Sequence, residues 1–184
     1  VGIDYPLRFS REHEAVFDAP AGFGEIPVMS DVAQRLYFRN YDGGKVLVGQ
    51  GWPKAFEPAD PESYDDGVTQ EALGYMVPRV LRRLPALRAT LSQPNYGGAF
   101  VTGYSGVYDI TDDWYPIVGE EEIGGYYSAF GGSGHGFKIA PAIGESLAAT
   151  IAGQQPPIDI SSLSGARFSE GRTFSSVWDA GNRA

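Results

Sequence analysis

At 184 residues the chain is the size of one domain or of part of a two-domain enzyme, long enough to bury a core without cross-links. A net charge of −9 and an isoelectric point near 4.6 argue against nucleic acid and anionic membrane surfaces as partners. The absence of cysteine excludes disulfides, thiolate metal sites and a cysteine nucleophile, and fits a cytoplasmic protein.

Val1-Gly2-Ile3-Asp4-Tyr5-Pro6 lacks an initiator methionine and reads like the interior of a longer protein. No charged segment leads into an apolar one, so no signal peptide is expected. No stretch approaches the ~20 apolar residues of a membrane span. Residues 7–17 alternate loosely and predict a strand. Residues 26–30 and 35–39 predict two short strands, and Asp42-Gly43 within 40–44 marks a turn returning through Lys45–Gly49. Residues 51–61 are proline-rich and irregular. A helix is predicted over 64–84, with apolar positions at spacings of three or four, divided or kinked at Pro78 and ended by Pro85.

After Leu87 a β section is expected, with a glycine- and aromatic-rich stretch at 95–107 and a turn-bearing segment at 108–119. Residues 126–130 predict an apolar strand, followed at once by Gly131-Gly132-Ser133-Gly134-His135-Gly136 and a helix over 137–152. Its stripe is Ile139, Ile143, Leu147 and Ile151, with Pro141 expected in the first turn. The tail beyond Gly153 reads as irregular. The pattern as a whole is α+β, a mostly antiparallel or mixed sheet with flanking helices.

Residues 126–142 carry the chemistry. Four glycines in six residues let backbone approach a ligand closely, and a helix start behind them offers unpaired N–H groups and about half a positive charge. Together these features can bind an anion. Lys138 in the first turn opposes the helix dipole at about 0.3–1 kcal/mol, which a bound anion would offset; a solvent-exposed lysine is the alternative reading. The loop is not a phosphate-binding GxxxxGK[ST], because Lys138 falls one place late and Ile139 replaces the hydroxyl residue. It is not GxGxxG either, since Gly132, Gly134 and Gly136 are spaced GxGxG. Ser133 lacks the frame of a nucleophile elbow. His13 and His135, the only two histidines, belong to no metal-binding spacing, so no metal site is expected. The acidic run Glu120-Glu121-Glu122 reads as a solvated loop.

GGSGHGFKIAPAIGESLA resembles the C-terminal flavin-contacting segment of the D-amino-acid oxidase family, which includes sarcosine oxidases, glycine oxidases and dimethylglycine dehydrogenases. YDITDDWYPIVG resembles that family's TPDxxPxIG motif, RLYFRNYDGGKVLVG its GgxxvG hairpin, and Arg167-Phe168 the pair closing many members. The four landmarks occur in the family's order over about residues 26–168. The resemblance implies the substrate-binding part of an FAD-dependent amine or amino-acid oxidoreductase (residues 1–125), the strand, loop and helix that return to the flavin domain (126–152), and a tail (153–184). An N-terminal FAD-binding half carrying GxGxxG would be a required partner, and this chain alone would be inactive.

The resemblance also implies residue roles. Gly131, Gly132, Ser133, Gly134, His135, Gly136 and Phe137 would line the flavin, with His135 beside its edge or simply packing. Lys138 would contact the substrate carboxylate or a flavin oxygen. Tyr108 would orient the substrate, unless it only packs in the sheet. Gly106 stands where some sarcosine oxidases attach flavin to a cysteine, so the FAD would not be cysteinyl. Asp113 would hold its loop through backbone hydrogen bonds. Asp112 replaces a common proline, and Leu47, with Lys45 close by, stands where some oxidases carry an oxygen-activating lysine, leaving oxidase and dehydrogenase both open. The expected substrate is a small sarcosine- or glycine-like amine, oxidised by hydride transfer, with water hydrolysing the imine. A non-catalytic β-rich module binding an anion near Gly136 is the competing reading.

Overall fold

The strands predicted at 7–17 and in the 35–49 hairpin form from alternating apolar residues and a glycine turn, in a computed structural model that describes residues 2–51 and 55–175. Residues 52–54 of the expected irregular stretch, and 176–184 of the expected tail, lie outside the described residues. The fold is α+β. A five-stranded sheet runs in the order β2-β3-β4-β1-β5, from β1 (Leu7–Asp18), β2 (Met29–Asp31), β3 (Leu36–Tyr41), β4 (Lys45–Gln50) and β5 (Phe100–Thr111). β3 and β4 pair antiparallel with Tyr41 opposite Lys45, and Gly43 and Gly44 take positive φ at the turn. A second, two-stranded antiparallel sheet joins β6 (Ile117–Glu120) to β7 (Tyr127–Phe130).

The chain clusters into two compact units, residues 11–107 and residues 1–10 with 108–184. In the first unit Ala15 and Phe17, Leu36 and Phe38, and Val46 and Val48 alternate along their strands and pack with helix α1 (Gln70–Arg83). Thr69 caps α1 by accepting from the Ala72 N–H at 3.1 Å, and Arg82 and Arg83 sit at its negative end. The helix therefore starts at Gln70 instead of 64. Before it, Asp65 accepts from the Gly67 N–H at 2.8 Å, a local bond that competes with helix. Pro78 does not divide α1: it lies on the exposed side, while Met76, Val77 and Val80 stay buried beneath.

The β section expected after Leu87 starts later. Pro85–Leu87 is a 3-10 turn, α2 spans Arg88–Leu91, and Asn95, Tyr96 and Gly97 are all left-handed before β5 begins at Phe100. Burial of Leu87 and Leu91 in the core holds this segment helical.

In the second unit, helix α3 (Gly136–Ile151) follows β7 and the glycine loop. Because α3 starts at Gly136, Pro141 falls in its second turn, not its first. Ser161–Leu163 forms a 3-10 turn and α4 (Ala166–Ser169) a last helical turn, where irregular chain was expected. No helix among the described residues is long and apolar enough to cross a membrane.

Candidate functional site

The end of β5 and the glycine loop are built against each other. The loop is Gly131–His135, between β7 and α3, and it adopts positive φ at Gly131 (70°), Ser133 (47°) and Gly134 (81°). Glycine is needed where neighbours crowd in. A Cβ on Gly131 would stand 2.7 Å from the Thr111 methyl, and one on Gly134 would collide with the Tyr108 ring. Gly132 faces the Cα of Gly136 at 2.9 Å from where its Cβ would be. Tyr108 thus lies beside the loop.

The loop amides divide by parity. The Gly131 N–H donates to Asp109 Oδ2 at 2.6 Å, Ser133 N–H to Asp109 O at 3.0 Å, and His135 N–H to Gly132 O at 2.7 Å. These three are spent inside the protein. The N–H groups of Gly132, Gly134, Gly136 and Phe137 find no acceptor among the described residues. Lys138 N–H bonds back to His135 O at 3.2 Å, closing the first helical turn. From Gly131 to His135 the backbone therefore anchors itself with alternate amides and leaves those of Gly132 and Gly134 available, beside the first two N–H groups and the positive end of a 16-residue helix.

His135 stands at the N-cap position of α3 with no side-chain cap, its Nδ1 3.1 Å from Ser133 O. The Lys138 and Phe137 side chains are exposed, Phe137 at 98%. Gly106 lies on β5, where a Cβ would meet nothing within 4 Å.

Sequence reading missed two features. Asp109 supplies both acceptors that pin the loop, yet it is 22 residues from Gly131, and only folding brings them together. The second is a buried ion pair. Arg167, 0% exposed, reaches Asp113 through Nε at 2.8 Å and Nη2 at 3.0 Å, and spends its remaining N–H groups on the carbonyls of Tyr115, Leu163 and Ser164. Its guanidinium also stacks over Phe168 at 4.2 Å. Asp113 holds its loop by accepting from the Tyr115 and Phe174 N–H groups. Burial pushes the Asp113 carboxyl up, but Arg167 and these two amides outweigh it and hold the group below its ordinary value. The resemblance of Arg167-Phe168 to the family's closing pair was the available signal for Arg167; nothing local named its partner.

Elsewhere, His13 is buried with Nε2 3.0 Å from Glu57 Oε2. Among the described residues no group of three or more His, Cys, Asp or Glu is placed to hold a metal. Glu120 and Glu122 are exposed, whereas Glu121 is half-buried.

A sequence model of the family described as FAD dependent oxidoreductase matches residues 3–150. The chain is 29% identical over 155 residues to the FAD-dependent oxidoreductase domain-containing protein 1 of Bos taurus, covering 82% of this chain and 29% of that protein. It is 27% identical over 172 residues to the Xenopus laevis protein of the same description, covering 91% of this chain and 32% of that protein. It therefore spans about a third of the length of these relatives. Among solved structures, L-proline dehydrogenase from P. horikoshii superposes with a TM-score of 0.76 at 24% identity, over 93% of this chain and 42% of that one. Glycine oxidase from Geobacillus kaustophilus gives 0.69 at 19%, over 90% and 40%. Iminodiacetate oxidase from Chelativorans sp. BNC1 gives 0.69 at 20%, over 89% and 41%.

Proposed function

We propose, because the chain belongs to the FAD dependent oxidoreductase family, that it forms the C-terminal, substrate-covering part of an enzyme oxidising the C–N bond of a small amine or amino acid. The division of the loop amides carries this reading: three bind inward, and those of Gly132, Gly134, Gly136 and Phe137 remain for an electron-rich ligand edge. The residues fit FAD in a further respect. The absent side chains at Gly131, Gly132 and Gly134 let the loop pack tightly on Thr111, Gly136 and Tyr108, which holds the loop amides in a fixed arrangement for the ring system they would meet.

When bound, FAD would supply the acceptor of the hydride. The chain's own contribution is electrostatic and positional. The free amides and the N-terminus of α3 stabilise negative charge at the edge they face. Lys138 takes the substrate carboxylate or a cofactor oxygen, and Tyr108, set against Gly134, orients the amine. Without a cysteine at Gly106 the cofactor is held non-covalently or through another residue.

In this reading residues 1–125 cover the substrate, 126–152 return to the flavin, and an N-terminal FAD-binding half is the missing partner. Exposed apolar side chains on and beside α3 support the last point: Phe137 at 98%, Ile151 at 54% and Ile158 at 54%. So do two grooves along the helix, of about 360 Å³ beside Ile139 and about 400 Å³ beside Leu147. A cytoplasmic setting suits an acidic chain without cysteine.

Flavin titration tests the proposal. The full-length protein is expected to bind FAD stoichiometrically and to bleach it on adding sarcosine, glycine or a related amine, whereas this chain alone should not hold it. Tight binding by the chain alone, or no binding by the full-length protein, overturns the assignment. Peroxide formation in the same assay separates an oxidase from a dehydrogenase.

A further inference from the structure

The buried Arg167–Asp113 pair lies far in sequence from the glycine loop, yet a continuous set of buried contacts joins them. The Thr111 hydroxyl is 3.2 Å from Asp113 Oδ1 and 2.8 Å from Tyr115 O. Thr111 Oγ1 is 3.5 Å from Ser133 Oγ, and the Thr111 N–H donates to that oxygen at 3.3 Å. The Ser133 hydroxyl in turn donates to Gly131 O at 3.1 Å. Arg167, Asp113, Thr111 and Ser133 are all at most 3% exposed.

Ser133 is a non-glycine residue held at φ 47°, a conformation that costs an L residue energy. Glycines flank it on both sides, and local sequence offers no reason for a side chain there. Its hydroxyl supplies the reason, since it is the only side chain of the 131–134 loop through which the interior can grip.

We propose that Arg167 and Asp113, acting through Thr111 and Ser133, set the conformation of residues 131–137, so that Arg167, Thr111 and Ser133 are positioning residues for the ligand those amides meet. The pair fixes the turn after β5, Thr111 transmits its position, and Ser133 locks the left-handed step that leaves the Gly132 and Gly134 amides unspent. That the ligand is FAD rests on the function proposed above; the coupling itself does not.

Thr111→Val keeps the methyl that packs on Gly131 and the Thr111 N–H bond to Ser133, and replaces the hydroxyl with a methyl, which cuts the link to Asp113. Ser133→Gly relieves the positive φ while removing the grip. Hydrogen exchange on the full-length protein is expected to speed up about tenfold or more at the Gly131 and Ser133 amides in either variant, with the β3–β4 hairpin unchanged. Arg167→Lys should do the same if it folds; Thr111→Val decides the matter if it does not. The FAD dissociation constant should rise about tenfold in Thr111→Val, with a displaced flavin absorbance band. The double variant should be no worse than the poorer single one, as members of one chain of contacts require.

A purely structural role predicts a lower melting temperature and uniformly faster exchange, with affinity and spectrum unchanged in the folded fraction; that outcome overturns the proposal. Unchanged exchange at 131–137 overturns it equally, even if flavin binding falls. Wild-type protein that holds no FAD overturns the proposed function instead, and exchange still decides the coupling.

Discussion

Arg167 is the largest fully buried side chain and lies within the second unit. All its guanidinium N–H groups have partners, and Asp113 sits beside it at 3% exposure. Removing the cation strands a buried carboxylate, so Arg167→Ala should cost about 3–5 kcal/mol in urea unfolding, far more than an ordinary surface truncation. The same pair predicts a pH dependence. The Asp113 carboxyl is held below its ordinary value, so its contribution is present above the unfolded value and lost as pH falls through and below about 4. Asp113→Asn should flatten that acid limb in a stability–pH series. Tyr104 acts at the other end of the scale. Burial and its bond to the Glu14 carboxylate raise its phenol, which favours the neutral form in the folded protein. Unfolding should therefore become easier above about pH 10, where the unfolded chain ionises first. Tyr104→Phe should reduce that alkaline loss; an identical alkaline limb in the variant would remove Tyr104 as its source.

Among the elements, those whose signals are local were legible in the sequence. Asp42-Gly43-Gly44 placed the β3–β4 turn, and the change from apolar strand to glycine loop to helical stripe placed β7 and α3 within a residue or so. Elements decided by competition between local and tertiary forces were harder. The apolar spacing continues through Val68, so periodicity alone carried the helix back to 64, past a Thr69 cap that fixes its start. The left-handed run Asn95–Gly97 resembles strand in composition and is not one. The site divides in the same way. The loop glycines could be read directly, whereas Asp109 and the Thr111–Ser133 contact exist only once β5 lies beside the loop. Pro78 shows the packing prevailing over a local breaker. α1 runs through it because the residues on its inner side are buried, although the proline forfeits one helical hydrogen bond. Pro78→Ala should therefore raise stability, by about 1–3 kcal/mol after allowing for the freer unfolded chain. A loss measured in denaturant would mean that the proline itself is needed where it stands.

At the scale of the whole chain, charge and apolar exposure oppose each other. A net charge of −9 keeps copies apart at neutral pH, while α3 and its surroundings leave Phe137, Ile151 and Ile158 uncovered. Nothing in the described residues buries that side of the helix: only Ser146 of α3 is buried. A helix so apolar is unusual on a surface meant to stay wet. If the N-terminal half proposed here covers it, the chain alone should bind an apolar fluorescent dye at neutral pH and the full-length protein should bind little. As pH approaches the isoelectric point near 4.6, the repulsion vanishes and light scattering by the chain alone should climb steeply. Ile151→Glu with Ile158→Glu should lower both signals, because both residues are at least half exposed and neither belongs to the glycine loop. Equal dye binding by the chain and by the full-length protein would mean that the missing half leaves this surface open, and the partner assigned to α3 would have to be sought elsewhere.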